Sequence, residues 1–517
     1  MPIASTISLP DIHPFVGMDV SSLLADSARS NGDRLFLAWE PFEGRARAWS
    51  YAEADRAVTD IAAGLAERGL RPGDALILHL DNAPESILVW LACGRLGAVA
   101  VVTNARSSAD ELRYFVEKSG AVAIVSQPAF SPVVGTVADL VDWTELVEPG
   151  TGDQVLRGAR TLAPRPADPA APFCVQFTSG TTSRPKAVVW THANALWGAM
   201  VNARHLSLRP EDKALVFFPL CHAVALSWQV LGSIWAGAAV VVQPKFSAAR
   251  FWEVVTSHGC TWAPTGGFVE NALKDVPRPE GHRLRFVLAT ANLEPSEAAW
   301  RLRNTAGHGM TEIITQSLLC DTVGPIENGA VGRPAPEYRI EVRDDDGKAV
   351  PLGGSGELLI GGIRGLSLFA CYHGDEQATA EAFTEDGLFR TGDIVRRRPD
   401  GALDLVDRKK DMLKVGGENV AASEVEAVIL KVPGVREVAV VGQRHKMLDE
   451  VPFAFVIATP AAPADLPDRI LAACRAALAD FKVPREVRLV EDFPRTIGEL
   501  KVRKVRLREM LRDEAQA

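Results

Sequence analysis

Short β-branched runs alternating with helix-period segments constrain this chain more than any other feature. ALILHL at Ala75, AVAVVT at Ala98 and AVAIVS at Ala121 are each of strand length, and segments with helical spacing of apolar residues separate them. Such alternation predicts a parallel sheet covered by helices, hence an α/β fold for the N-terminal part. Helices are expected in DVSSLLADSARSNG from Asp19 and in the segment from Tyr51, where Gly69 and Pro72 are stop signals. From about Arg333 the texture changes to short alternating strands with tight turns, YRIEVRDDDG and GELLIGG among them, and Pro-Asp-Gly at Pro399 marks a hairpin. That region reads as small, antiparallel and barrel-like. Beyond Asp411 come a helix at ASEVEAVILKV, a strand at EVAVVG and a helix at LPDRILAACRAALADF, enough for a small α+β unit. The expected division is a large domain over 1–409 and a mobile C-terminal domain over 410–517.

Charge and cysteine content narrow the functional classes. The 517 residues hold 56 Lys plus Arg against 65 Asp plus Glu, a formal charge of -9, so no overall basic field recommends nucleic acid as a partner. Seven scattered cysteines include no CxxC pair, and thiols in a reducing cytoplasm are expected. The N-terminal stretch has no basic region followed by an apolar core, and VLGSIWAGAAVVV from Val230 is too short to span a membrane.

The segment FTSGTTSRPKAVVWTHAN, Phe177 to Asn194, places small and hydroxylic residues before a lone lysine and then a β-branched run. Backbone N–H groups of such a turn form an anion-binding concavity, hydroxyls add donors, and Lys186 adds a mobile positive charge. The spacing is not that of a P-loop. Taken alone, a Gly/Ser/Thr-rich stretch is more often an ordinary surface loop.

The whole string resembles the phosphate-binding signature of the adenylate-forming superfamily, which includes acyl-CoA synthetases, luciferases and peptide-synthetase adenylation domains. Ser183 departs from the glycine common there. Further segments resemble the family's set in order. The resemblance implies ATP contacts from Thr178, Ser179, Gly180, Thr181, Thr182 and Lys186. In GHGMTE it implies His308 and Gly309 beside adenine, Thr311 at the α-phosphate and Glu312 on Mg2+. A single glutamate beside bound nucleotide suffices for magnesium, which keeps water and phosphate ligands. His308 stands where an aromatic residue is common, and Ala291 is the residue retained from the family's adenine-wall turn.

RTGDIV and DRKKDML match the ribose-binding positions at Asp393 and Arg408, with Lys410 at the family's hinge. KVGGENVAASEVE resembles the corresponding run of carnitine-type and related small-acid CoA ligases, and implies that Gly416 and Gly417 line a pantetheine tunnel. PRTIGELKVRK departs from the family's C-terminal pattern, leaving Lys501, which needs the smaller shift, and Lys504 as candidates for the adenylation lysine. His222, in FFPLCHAVAL, matches a histidine beside the carboxylate pocket. The implied activity is that of an AMP-forming carboxylic-acid ligase, with coenzyme A as the expected acyl acceptor and an amine as the alternative.

Overall fold

The computed structural model describes residues 3, 7–163, 165–178, 184–289, 302–320, 322, 329–415, 418–445, 448–495 and 502–516. Among these, strands form sheets of seven, nine, four and five members. The three runs singled out above become Ala75–His79, Val99–Thr103 and Ala123–Ser126, parallel neighbours in the seven-stranded sheet. All are fully buried, as strands covered on both faces must be. The same sheet continues through Pro172–Phe177 to Ala187–Thr191, which pair antiparallel, and ends at Cys371–Tyr372.

The nine-stranded sheet runs Arg333–Pro334, Gln316–Leu319, Arg303–Gly309, Phe286–Ala289, Trp262–Pro264, Lys213–Val216, Ala239–Val242, Leu35–Trp39 and Arg47–Ser50. Its pairings from Arg303–Gly309 through to Leu35–Trp39 are parallel, and those outside this run are antiparallel. Both expected N-terminal helices are present, Val20–Asn31 and Tyr51–Glu67, and each begins in a capping box, from Asp19 and Ser50. Trp262 and Trp228 are core residues, whereas Trp197 and Trp235 are half-buried.

The four-stranded sheet, Arg339–Arg343, Ser355–Gly361, Phe389–Arg397 and Leu403–Arg408, contains the expected hairpin. Its turn closes through Arg398 N–H to Ala402 O, 2.9 Å, and Gly401 adopts φ +89°, a conformation that favours glycine. In the last sheet Asp449–Ala458 pairs with Val435–His445, Met412–Val415 and Glu486–Leu489, and Glu418–Ala421 forms an edge. Helices Ala422–Ile429 and Leu466–Ala477 cover it, burying Val425, Ile429, Leu466, Ile470 and Cys474.

By compactness the chain divides into two units. One holds the residues through Thr178, Pro185–Arg339 and Ile360–Phe389; the other holds Ile340–Leu359 and Arg390 onward. Most of the four-stranded sheet therefore groups with the C-terminal residues, and Lys410 falls inside the second unit. Among the described residues no helix is long and apolar enough to cross a membrane, and none of the seven cysteines is in a disulfide.

Two imidazoles of the first unit, His79 and His192, are fully buried. Burial pushes His79, whose Nδ1 lies 3.0 Å from Thr103 Oγ1, down to about 4, and it lowers His192 as well. A histidine depressed in the folded state binds more protons when unfolded. Its stabilisation is therefore complete above the unfolded value of about 6.5 and is lost as pH falls towards 4. The urea midpoint of this unit is expected to drop between about pH 7.5 and about pH 5, where most carboxylates remain ionised. An unchanged midpoint would contradict this assignment.

Candidate active site

Lys186 follows the loop joining the antiparallel strands Pro172–Phe177 and Ala187–Thr191, and its carbonyl accepts from Thr178 N–H at 3.0 Å. The pairing fixes Thr178 and Lys186 opposite each other at the mouth of the hairpin. Ser179, Gly180, Thr181 and Thr182 lie outside the described residues. The Lys186 ammonium sits 4.4 Å from the centre of the Tyr372 ring, and among the described residues no carboxylate is within ion-pair distance of it. The Tyr372 hydroxyl donates to Glu312 Oε1 at 2.9 Å. Burial, reinforced by the Glu312 charge, raises the phenol above its ordinary range, so it remains protonated and donating. Lysine, tyrosine and buried glutamate thus form one chain of contacts.

Glu312 and Thr311 lie on the turn Met310–Thr315, which leaves the strand Arg303–Gly309 and enters Gln316–Leu319. Each carbonyl from Thr311 to Ile314 accepts a hydrogen bond from outside the turn. Trp190 Nε1 reaches Thr311 O at 2.8 Å, Phe369 N reaches Glu312 O at 2.8 Å and the Tyr338 hydroxyl reaches Ile313 O at 2.9 Å. Ile314 O receives both Ser227 Oγ, 2.8 Å, and Trp228 Nε1, 3.2 Å. This bracing accompanies a strained backbone, for Ile314 has φ +69°, which a β-branched residue rarely adopts. Gly309 is required by packing, since a Cβ there would stand 2.3 Å from the Trp228 ring and 2.7 Å from Thr315 O.

His308 is buried, and its Nδ1 lies 2.8 Å from Ser317 Oγ, which fixes the ring across the strand pair. His222 is half-buried; its N–H donates to Pro219 O at 3.0 Å, and its carbonyl accepts from Leu226 N–H at 3.0 Å. The wide π-helical stretch Val224–Leu231 begins two residues later, after Ala223, and carries Ser227 and Trp228. Wide turns of this kind are frequent at functional sites. The segment after His222 is thereby hydrogen-bonded to the turn bearing Thr311 and Glu312.

In the second unit Asp393 and Arg408 are direct cross-strand partners, with Arg408 Nε 2.7 Å from Asp393 Oδ1. The Asp393 side chain is 3% exposed and the Arg408 side chain 34%, so the guanidinium keeps a solvent-facing edge. Lys504 forms a 2.8 Å ion pair with Glu426. Lys501, Ala291, Gly416 and Gly417 lie outside the described residues, as does the Lys410 side chain. Trp190, Ser227, Tyr338 and Tyr372 escaped the sequence reading, because no local pattern distinguishes them from core aromatic or polar residues, and Trp228 reads from the sequence as core.

Among the described residues no group of three or more His, Cys, Asp or Glu side chains could hold a metal ion. Glu312 thus belongs to no such group among the described residues, and a lone carboxylate completed by phosphate oxygens and water is a donor set that fits magnesium and not zinc.

The description "AMP-binding enzyme" fits residues 24–373, and "AMP-binding enzyme C-terminal domain" fits residues 424–498. These features define an adenylate-forming enzyme. The crotonobetaine/carnitine–CoA ligase of Salmonella paratyphi A is 31% identical over 504 residues, 93% of this chain and 97% of that protein. The protein of the same name from Escherichia coli O6:K15:H31 is 30% identical over 512 residues, 94% of this chain and 98% of its own. Among solved structures, ATP-bound MatB from Rhodopseudomonas palustris superposes with TM-score 0.86 at 25% identity, covering 96% of this chain and 100% of its own. The O-succinylbenzoate CoA synthetase of Bacillus subtilis, in complex with ATP and magnesium ion, gives TM-score 0.84 at 25% identity over 95% and 99%. The chain belongs to the AMP-binding enzyme family.

Proposed function

We propose that the protein joins a carboxylic acid to coenzyme A in two steps. In the first, a substrate carboxylate oxygen attacks the α-phosphorus of ATP, the bond to the bridging oxygen breaks and pyrophosphate leaves. In the second, the thiol sulfur of coenzyme A attacks the acyl carbon, AMP departs with the former carboxylate oxygen, and the thiol proton passes to solvent. The observation that carries this reading is the contact chain Lys186–Tyr372–Glu312, which offers a cation and a buried carboxylate beside the Gly/Ser/Thr loop. The names of the relatives favour a thiol acceptor.

In this scheme Lys186 and Thr311 hold phosphate oxygens, Glu312 holds magnesium, and Asp393 with Arg408 holds the ribose hydroxyls. When bound, magnesium supplies charge neutralisation on the phosphates. The protein contributes position and a preorganised field, since the attack itself needs little covalent help. Lys501 is the proposed adenylation lysine; the engagement of Lys504 with Glu426 supports that choice. His308 and Gly309 adjoin the adenine, and His222 borders the acid.

The test is mass spectrometry of products formed from ATP, magnesium, a mixed carboxylic-acid library and either coenzyme A or mixed amines. Acyl-CoA thioesters are expected. Amides with amines, and no thioester when coenzyme A is offered, would reassign the acceptor; no AMP release with any acid would reject adenylation.

A further inference from the structure

Tyr372 touches two functional groups at once. Its hydroxyl donates to Glu312 Oε1, and its ring face carries the Lys186 ammonium. The side chain is buried and its ring packs 4.7 Å from that of Phe369, so it has little freedom to leave either contact. A half-buried ammonium over the ring face and a buried carboxylate at the ring's hydroxyl attract each other strongly in a poorly screened setting. Were they to meet, each would neutralise the other, and neither charge would be available to a ligand. The ring competes with that collapse by giving the ammonium an attractive π face instead. The hydroxyl meanwhile orients the carboxylate, as a hydrogen-bond partner behind a metal ligand does.

We propose that Tyr372 is a positioning residue that aims the Glu312 carboxylate at magnesium and holds Lys186 apart from it for phosphate. The proposal rests on the roles given above to Lys186 and Glu312. Tyr372→Phe removes the hydroxyl and keeps the ring; Tyr372→Leu removes both. The affinity of the full-length chain for ATP is measured by calorimetry in EDTA and across a magnesium titration, for the parent and both variants.

In EDTA the parent and Tyr372→Phe are expected to bind ATP alike. The magnesium concentration giving half of the gain in ATP affinity is expected to rise about 10- to 100-fold in Tyr372→Phe. Tyr372→Leu should show that shift and, in addition, a roughly threefold weaker affinity in EDTA from loss of the cation–π contact. An unshifted magnesium midpoint in Tyr372→Phe overturns the proposal. So does an equal loss of ATP affinity with and without magnesium, which marks a packing role only. A parent chain that binds no ATP rejects the adenylation reading itself, and the positioning role falls with it. The Phe variant preserves the ring packing and decides the question even if the Leu variant does not fold.

Discussion

Lys186→Met is expected to slow acyl-adenylate formation on the order of 100- to 1,000-fold, the usual loss when one preorganised charge contact is removed from a transition state. Methionine retains the length and apolar stem of lysine, so the variant deletes charge with little loss of packing. The charge matters because no described carboxylate neutralises it; the ammonium rests on the Tyr372 ring, available to a phosphate oxygen. ATP–pyrophosphate exchange with the acid identified by the product screen measures the step directly. Supplying the preformed acyl-adenylate and coenzyme A should then restore thioester formation to near the parent rate. Parent-level exchange in the variant would remove Lys186 from the mechanism.

The second large effect is expected at Lys410. It lies in the single 3-10 turn Lys409–Asp411, and its two neighbours are tied to different elements. Lys409 Nζ pairs with Asp345 at 3.1 Å and Glu357 at 3.2 Å, whereas Arg508, from the last helix, pairs with Asp411 at 2.6 Å. Rotation at Lys410 would turn the partners of Asp411 relative to those of Lys409, which suits the hinge proposed between the two half-reactions. In Lys410→Pro, φ is locked, and the preceding residue is driven from the helical conformation that the turn requires. Because misplacement by about 1 Å can lower a rate on the order of 100-fold, a loss of that size is expected in thioester formation. Pyrophosphate exchange and single-turnover thioester formation separate the two steps. Parent rates in both would dismiss the hinge.

Much of this architecture was legible because its signals are local. Strand-length β-branched runs identified the strands at Ala75, Val99 and Ala123, period-3.6 patterns the helices from Val20 and Tyr51, and Pro-Asp-Gly located the hairpin at Gly401. Sheet order was not legible, since the placement of Leu35–Trp39 beside Ala239–Val242 depends on packing between distant segments. The site divides in the same way. Lys186, Thr311, Glu312, Asp393 and Arg408 stand in short strings that resemble the family's signatures, and it is that resemblance that implies phosphate, metal or ribose contacts. Their supports do not: Tyr372 meets Glu312 across 60 residues, and Trp190 meets Thr311 across 121. A side chain that acts by holding another at such a separation leaves no trace in the sequence around it.

The double hydrogen bond to Ile314 O has a bearing on redesign. Ser227 and Trp228 extend from the segment that follows His222, yet their donors end on the backbone that presents Thr311 and Glu312. A substitution at either residue removes a donor from Ile314 O and so loosens the strained residue behind Thr311 and Glu312. The segment after His222 and the turn Met310–Thr315 are therefore not independent at these positions. Lineages that change 227, 228 or 314 should alter all three together, or leave all three in place.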